Sequence, residues 1–164
     1  LSRGKAESGL LFEIALLMLD LSRLASDLLL FYTQEFSYVQ LAAEVTTGSS
    51  IMPQKRNPDV LELVRGASAT AIACLDECLM LTSKLPSGYQ RDLQRLKPPV
   101  FRAIDLVTES LDIMAYVIDT LEFRPEKIVL NDSLNAAEEA FRLVTTEHIP
   151  FREAYRRIAK KYVT

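Results

Sequence analysis

The chain has 164 residues, 49% of them apolar and 25% charged, with a formal net charge of −3. That length suits one domain with a sizeable core, or part of a larger fold. No large basic block points to nucleic acid, and the longest apolar run, Ile14 to Leu19, is far below the ~18 residues a membrane span needs.

No signal peptide is visible, and a start at Leu1 rather than Met suggests a fragment or a processed product. The first long pattern runs from Leu10 to Gln34. Leu10, Ile14, Leu17, Leu21, Leu24, Leu28 and Phe31 recur in steps of four and three, a heptad seam. Phe12, Leu16, Leu19, Leu29 and Leu30 fall off that seam. A helix apolar on several sides must be enclosed by several neighbours.

The stretch Thr47 to Asp59 is a polar run between two leucine-rich patterns. Its right-hand end reads as a helix start, with Asn57 as N-cap, Pro58 at the first helical position and Asp59 in the first turn. Backbone N–H groups without partners there favour a bound anion, and Lys55 adds a full positive charge. Taken singly, Ser49 and Ser50 read as loop turn-formers, Lys55 as a solvated lysine and Glu62 as a first-turn acid near the helix dipole. Taken together, the run points to a carboxylate or phosphate site.

Val60 to Lys84 repeats the helical pattern with Val60, Val64, Ala67, Ala71, Cys74, Cys78 and Leu81. Small residues along this seam let helix axes approach closely. Cys74 and Cys78, the only cysteines, read as small buried residues; no nearby His or Cys completes a zinc site. Unpaired thiols suit a reducing compartment such as the cytoplasm. The following loop, Leu85 to Pro99, has ordinary loop composition, with Pro98 and Pro99 tolerable only at or before the next helix start.

A third seam comprises Val100, Ile104, Val107, Leu111, Met114, Ile118 and Leu121. Beyond Phe123 the elements shorten to about Pro125 to Leu130, Ser133 to Thr146 and Pro150 to Tyr162, with Ser133 a plausible N-cap. Arg156, Arg157, Lys160 and Lys161 suit the end of the last helix, where the dipole favours cations. His148, the only histidine, reads as a surface or boundary residue. The expected fold is all-α, without a β-strand pattern: a long-helix body over 1–122 and a small helical subdomain over 123–164. Helices of this length suit a long bundle completed by other chains more than a monomeric three-helix bundle, because the first has too much apolar surface for two partners to cover.

The run Gly48-Ser49-Ser50-Ile51-Met52-Pro53-Gln54-Lys55-Arg56-Asn57-Pro58 resembles the signature of the aspartase/fumarase superfamily, whose members release fumarate by β-elimination. Gln54 and the continuation Asn57-Pro58-Asp59 resemble its argininosuccinate lyase branch. So do Glu35 to Leu41, Leu61 to Gly66, Leu85 to Tyr89, Asp92-Leu93-Gln94 with Lys97, and Pro150 to Ala154. The resemblance covers essentially the whole chain, as the C-terminal part of a longer protein. It implies a long-helix bundle of the superfamily type and cleavage of argininosuccinate to arginine and fumarate. Sibling readings are a lyase for another fumaryl substrate, such as adenylosuccinate, or a crystallin-like structural protein.

The resemblance also assigns roles. Ser49 matches the catalytic base, and Ser50, Lys55 and Asn57 match substrate-binding positions, the last two on a carboxylate. Tyr89, Gln94 and Lys97 match contacts to the arginine side of the substrate, and Glu62 matches the carboxylate that pairs with the family's active-site histidine. That histidine belongs to an upstream segment outside these residues, so the 164-residue piece is expected to be inactive alone. Lys5-Ala6, Arg95-Leu96 and Pro98-Pro99 depart from the branch's usual pattern. A homotetramer with active sites shared between subunits is implied. No metal, nucleotide or organic cofactor is implied.

Overall fold

The structure, a computed structural model, describes residues 3–162. The described chain is helical almost throughout. Helix α1 spans Lys5–Tyr32, α2 Asp59–Thr82, α3 Lys97–Thr120, α4 Ala136–Glu147 and α5 Phe151–Tyr162. Alanine, leucine and methionine, strong helix formers, dominate α1, which contains no proline. Prolines 98 and 99 sit in the first turn of α3, where the missing N–H would have had no intrahelical partner.

By compactness the chain divides into one unit over Leu1–Lys127 and another over Ile128–Thr164. In the first, α1 lies along α2, and α3 packs against both. Its core runs from Leu11, Met18 and Leu61, all at most 1% exposed, through Ala71, Cys74 and Ala103 to Val117. Cys74 and Cys78 are both buried and free; the Cys74 thiol accepts a hydrogen bond from Arg102 Nε at 3.1 Å, and the Cys78 thiol shares one with Ser8 Oγ at 3.2 Å. In the second unit α4 packs against α5, with Ala140 and Ala154 buried.

The heptad spacing is right in all three long helices, and most of the expected seam is buried in α2. In α1 and α3 only alternate members are, Ile14, Leu21 and Leu28 in the first and Val107 and Met114 in the other. In α2 Val64, Ala71, Cys74 and Cys78 are buried as expected. In α1 the buried stripe is Leu11, Ile14, Met18, Leu21, Ala25 and Leu28, while Leu10, Leu17 and Leu24 stay 38–45% exposed. In α3 Val107 and Met114 are buried, but Ala103, Ser110 and Val117 replace Ile104, Leu111 and Ile118. Close approach of the axes rewards small side chains at the contact, so alanine and serine displace larger residues one position away. Apolar residues on several sides leave the phase undetermined by periodicity alone.

Four short strands were not anticipated. β1 (Val39–Gln40) pairs antiparallel with β4 (Glu122–Phe123), and β2 (Thr47–Gly48) with β3 (Arg56–Asn57). Strands of two residues each are too short to show a period of two in sequence. The β1–β4 ladder ties Phe123 to the first unit, so the division falls after Lys127 rather than at Phe123.

Local corrections follow from the same contacts. Asn57 is not the N-cap of α2: it pairs with Thr47 in the β2–β3 ladder, and Pro58 occupies the cap position without a side-chain bond. Ser133 is not a cap either; its N–H donates to Asn131 Oδ1 at 2.9 Å, so Asn131 caps a 3-10 turn over Asp132–Asn135 that leads into α4. The short helix expected at Pro125 to Leu130 is only a 3-10 turn, Pro125–Lys127. Exposed His148 terminates α4 in the left-handed region with φ 53°. None of the described helices is long and apolar enough to cross a membrane.

Candidate active site

The polar run after α1 folds into a closed hairpin. Thr47 pairs with Asn57 and Gly48 with Arg56, and the Ser49 N–H donates to the Lys55 carbonyl at 3.3 Å. The Lys55 N–H in turn donates to the Met52 carbonyl at 3.0 Å, tightening the tip. Within the tip Ser49 Oγ accepts the N–H groups of Met52 at 3.1 Å and Ile51 at 3.3 Å. This is the turn-forming role open to any loop serine. It is also an arrangement that disperses negative charge on that oxygen, because two backbone dipoles already point at it.

The hairpin is anchored at both ends. Thr47 Oγ1 donates to Asp59 Oδ2 in the first turn of α2, and Tyr32 Oη at the end of α1 donates to the Arg56 carbonyl at 3.4 Å. The tip itself is open: residues 50–56 are exposed, and the Ile51 side chain is 86% exposed. No other described residue covers that isoleucine.

Behind the hairpin lies a cavity of about 880 Å³ between the end of α1, the segment that follows it and the start of α2. Lys55, Asn57 and Glu62 line it. Glu62 sits one turn into α2, its N–H bonded to the Pro58 carbonyl at 3.3 Å. Ser49 and Ser50 belong to the hairpin but do not line the cavity. The floor is built by the return of the chain after α1, which buries Val39, Leu41 and Val45.

Tyr89, Gln94 and Lys97 are elsewhere. Tyr89 is 73% exposed in the loop after α2, Gln94 lies in a 3-10 turn over Arg91–Leu96, and Lys97 is the first residue of α3. The hairpin precedes the first residue of α2 and this cluster follows its last. A 24-residue helix therefore separates them, about 36 Å at ~1.5 Å rise per residue. One chain does not bring these two groups to one small molecule.

Sequence reasoning passed over Arg56, Arg65 and Arg124, which line the same cavity. Arg65 has a readable signal, since it follows Glu62 by three residues on one helix and so shares its face. Arg124 has none. It reaches the cavity because the β1–β4 ladder and an N–H bond to the Tyr38 carbonyl at 2.8 Å carry it there.

Comparison with known proteins bears on the whole length. The sequence profile of a family described as Lyase matches residues 8–73. An argininosuccinate lyase of Thermotoga neapolitana is 42% identical over 163 residues, covering 98% of this chain and 41% of that protein. One from Xanthomonas euvesicatoria is 42% identical over 162 residues, covering 98% of this chain and 37% of that protein. The chain thus spans only about two-fifths of the length of these relatives. Among solved structures, EDDS lyase in complex with formate superposes with TM-score 0.73 at 29% identity, over 91% of this chain and 30% of its own. The fumarate lyase:delta crystallin from Brucella melitensis bound to cobalt gives TM-score 0.67 over 94% of this chain and 34% of its own; at 22% identity it shows the fold alone.

Proposed function

Because the chain belongs to the argininosuccinate lyase family, we propose that the full-length protein cleaves argininosuccinate to arginine and fumarate by β-elimination, as a step of arginine biosynthesis in the cytoplasm. The observation that carries this reading is the closed hairpin in which Ser49 Oγ accepts two backbone N–H groups. A serine hydroxyl is a poor base unless its alkoxide is stabilised, and these amides supply that stabilisation. Ser49 removes the proton from the carbon next to a carboxylate. Lys55 and Asn57, with Ser50, hold that carboxylate as negative charge builds on it. Glu62 orients the histidine that the family carries on another segment. Tyr89, Gln94 and Lys97 take the arginine side of the substrate.

The helix-length gap between the two groups of residues means that they serve one substrate only if they come from different copies. We therefore assign the protein a homo-oligomeric assembly, a tetramer by analogy with the family, with sites shared between subunits. The leucines left exposed along α1, among them Leu10, Leu17 and Leu24, suit burial against further helices. Sedimentation of the full-length protein as a stable monomer would refute the assembly.

The activity is tested by assaying full-length protein on argininosuccinate and on adenylosuccinate, with Ser49→Ala in parallel. Fumarate release from argininosuccinate, reduced by roughly 10²-fold or more in the variant, is expected. Cleavage of adenylosuccinate alone would replace the substrate assignment. Undiminished turnover by Ser49→Ala would remove the serine from its role.

A further inference from the structure

The cavity behind the hairpin carries more positive charge than the residues assigned above account for. Four cations line it, Lys55, Arg56, Arg65 and Arg124, against the single carboxylate of Glu62. This happens in a chain whose net charge is −3, so composition does not explain it. None of the four forms an ion pair among the described residues, whereas Arg102, Arg157 and Lys161 elsewhere do. A concave site with excess charge of one sign concentrates ligands of the other.

Arg124 stands out within this group by how it is held. Its N–H donates to the Tyr38 carbonyl at 2.8 Å, and the preceding residues pair with β1 through Val39↔Phe123 and Gln40↔Glu122. Val39, on the facing strand, is 3% exposed and fixes the ladder to the core. The backbone is therefore pinned and the residue half-buried, yet its guanidinium makes no hydrogen bond among the described residues. Its charge serves no structural contact among the described residues. A guanidinium fork matches a carboxylate in two-point geometry, which ammonium groups do not.

We propose that Arg124 is a specificity-determining residue, binding a second carboxylate of a substrate whose first carboxylate is held by Lys55. It selects dicarboxylates over monocarboxylates. This rests on the proposed lyase reading for the identity of the substrate, but the dicarboxylate preference is separable from it.

The test uses full-length protein with Arg124→Gln and Arg124→Lys, and succinate as a bare dicarboxylate probe in calorimetry. Loss of a charge-assisted hydrogen bond is expected to weaken succinate binding roughly tenfold to a hundredfold in Arg124→Gln, with KM rising in parallel and kcat nearly unchanged. Arg124→Lys recovers part of the loss, and the melting temperature of both variants stays at the wild-type value. Succinate binding that is absent in the wild type, or indifferent to Arg124→Gln, overturns the proposal. So does an equal loss in both variants accompanied by a lower melting temperature, which marks a structural arginine. If succinate binding depends on Arg124 while argininosuccinate is left uncleaved, the substrate assignment fails and this inference stands. Cleavage with succinate binding indifferent to Arg124 gives the reverse.

Discussion

Gly4→Ala tests how the start of α1 is clasped to the end of α2. Gly4 is buried at the N-cap of α1 with φ 86° and ψ −3°, a left-handed conformation that costs an L-residue about 1–2 kcal/mol. A Cβ there would lie 2.5 Å from Thr82 Cγ2 and 3.2 Å from Leu96 Cδ1. Thr82 cannot rotate away cheaply, because its Oγ1 donates to the carbonyls of Cys78 and Leu79, both at 3.1 Å. The backbone cannot slide freely either, since the Arg3 guanidinium bonds the carbonyls of Leu85 at 3.0 Å and Pro86 at 2.6 Å. Overpacking of this kind adds about 1–3 kcal/mol, for a total of roughly 2–5 kcal/mol. Thr82→Ser removes the clashing methyl and keeps the hydroxyl. Combined with Gly4→Ala, it is expected to restore the packing share and leave the backbone share. Denaturant unfolding of the full-length protein at fixed concentration, run as a double-mutant cycle, measures both. A neutral Gly4→Ala, or a cycle with no coupling between the two sites, would refute the close approach.

Two further outcomes follow from the packing and the surface pairs. Met18 is fully buried in α1, so Met18→Ala is expected to lose about 2–5 kcal/mol by leaving a cavity; an unchanged unfolding midpoint would contradict its place in the core. In the second unit, hydrogen bonds from Lys161 and Tyr162 hold the Glu139 carboxyl below its ordinary value of 4.5. A depressed carboxylate contributes stability above its unfolded value, and that contribution is lost as pH falls through the folded one. Protection of the α4 and α5 amides against hydrogen exchange, corrected for the intrinsic rate at each pH, is therefore expected to fall below about pH 4.5 in wild type and to lose much of that acid dependence in Glu139→Gln. The pair is solvent-accessible, so the effect is small, and an identical acid response in both proteins would dismiss it.

The glycine–serine hairpin was legible in the chain because its composition breaks so sharply from its neighbours. The spacing Ser49, Lys55, Asn57 survives folding because the β2–β3 ladder closes over it. The capping role read for Asn57 did not survive, since the same ladder recruits that residue into a strand. Arg124 was invisible for a related reason. It comes to the cavity from more than sixty residues away through a two-residue ladder, and pairing that short leaves no trace in periodicity.

Sequence alone determined that the chain is all-α, that its long helices run as they do, and where the polar hairpin interrupts them. Those properties are set by neighbours within a turn or two: helix-forming side chains, prolines in a first turn, and apolar residues repeating at 3.5. Tertiary structure decided which face of α1 and α3 is buried, because close helix contact selects Ala25, Ala103 and Ser110 over the larger residues beside them. It also decided that the hairpin and the Tyr89–Lys97 cluster lie a helix apart. Spacing along a sequence cannot say that two polar stretches sit at opposite ends of one rigid rod, for a helix converts 24 residues into distance rather than proximity.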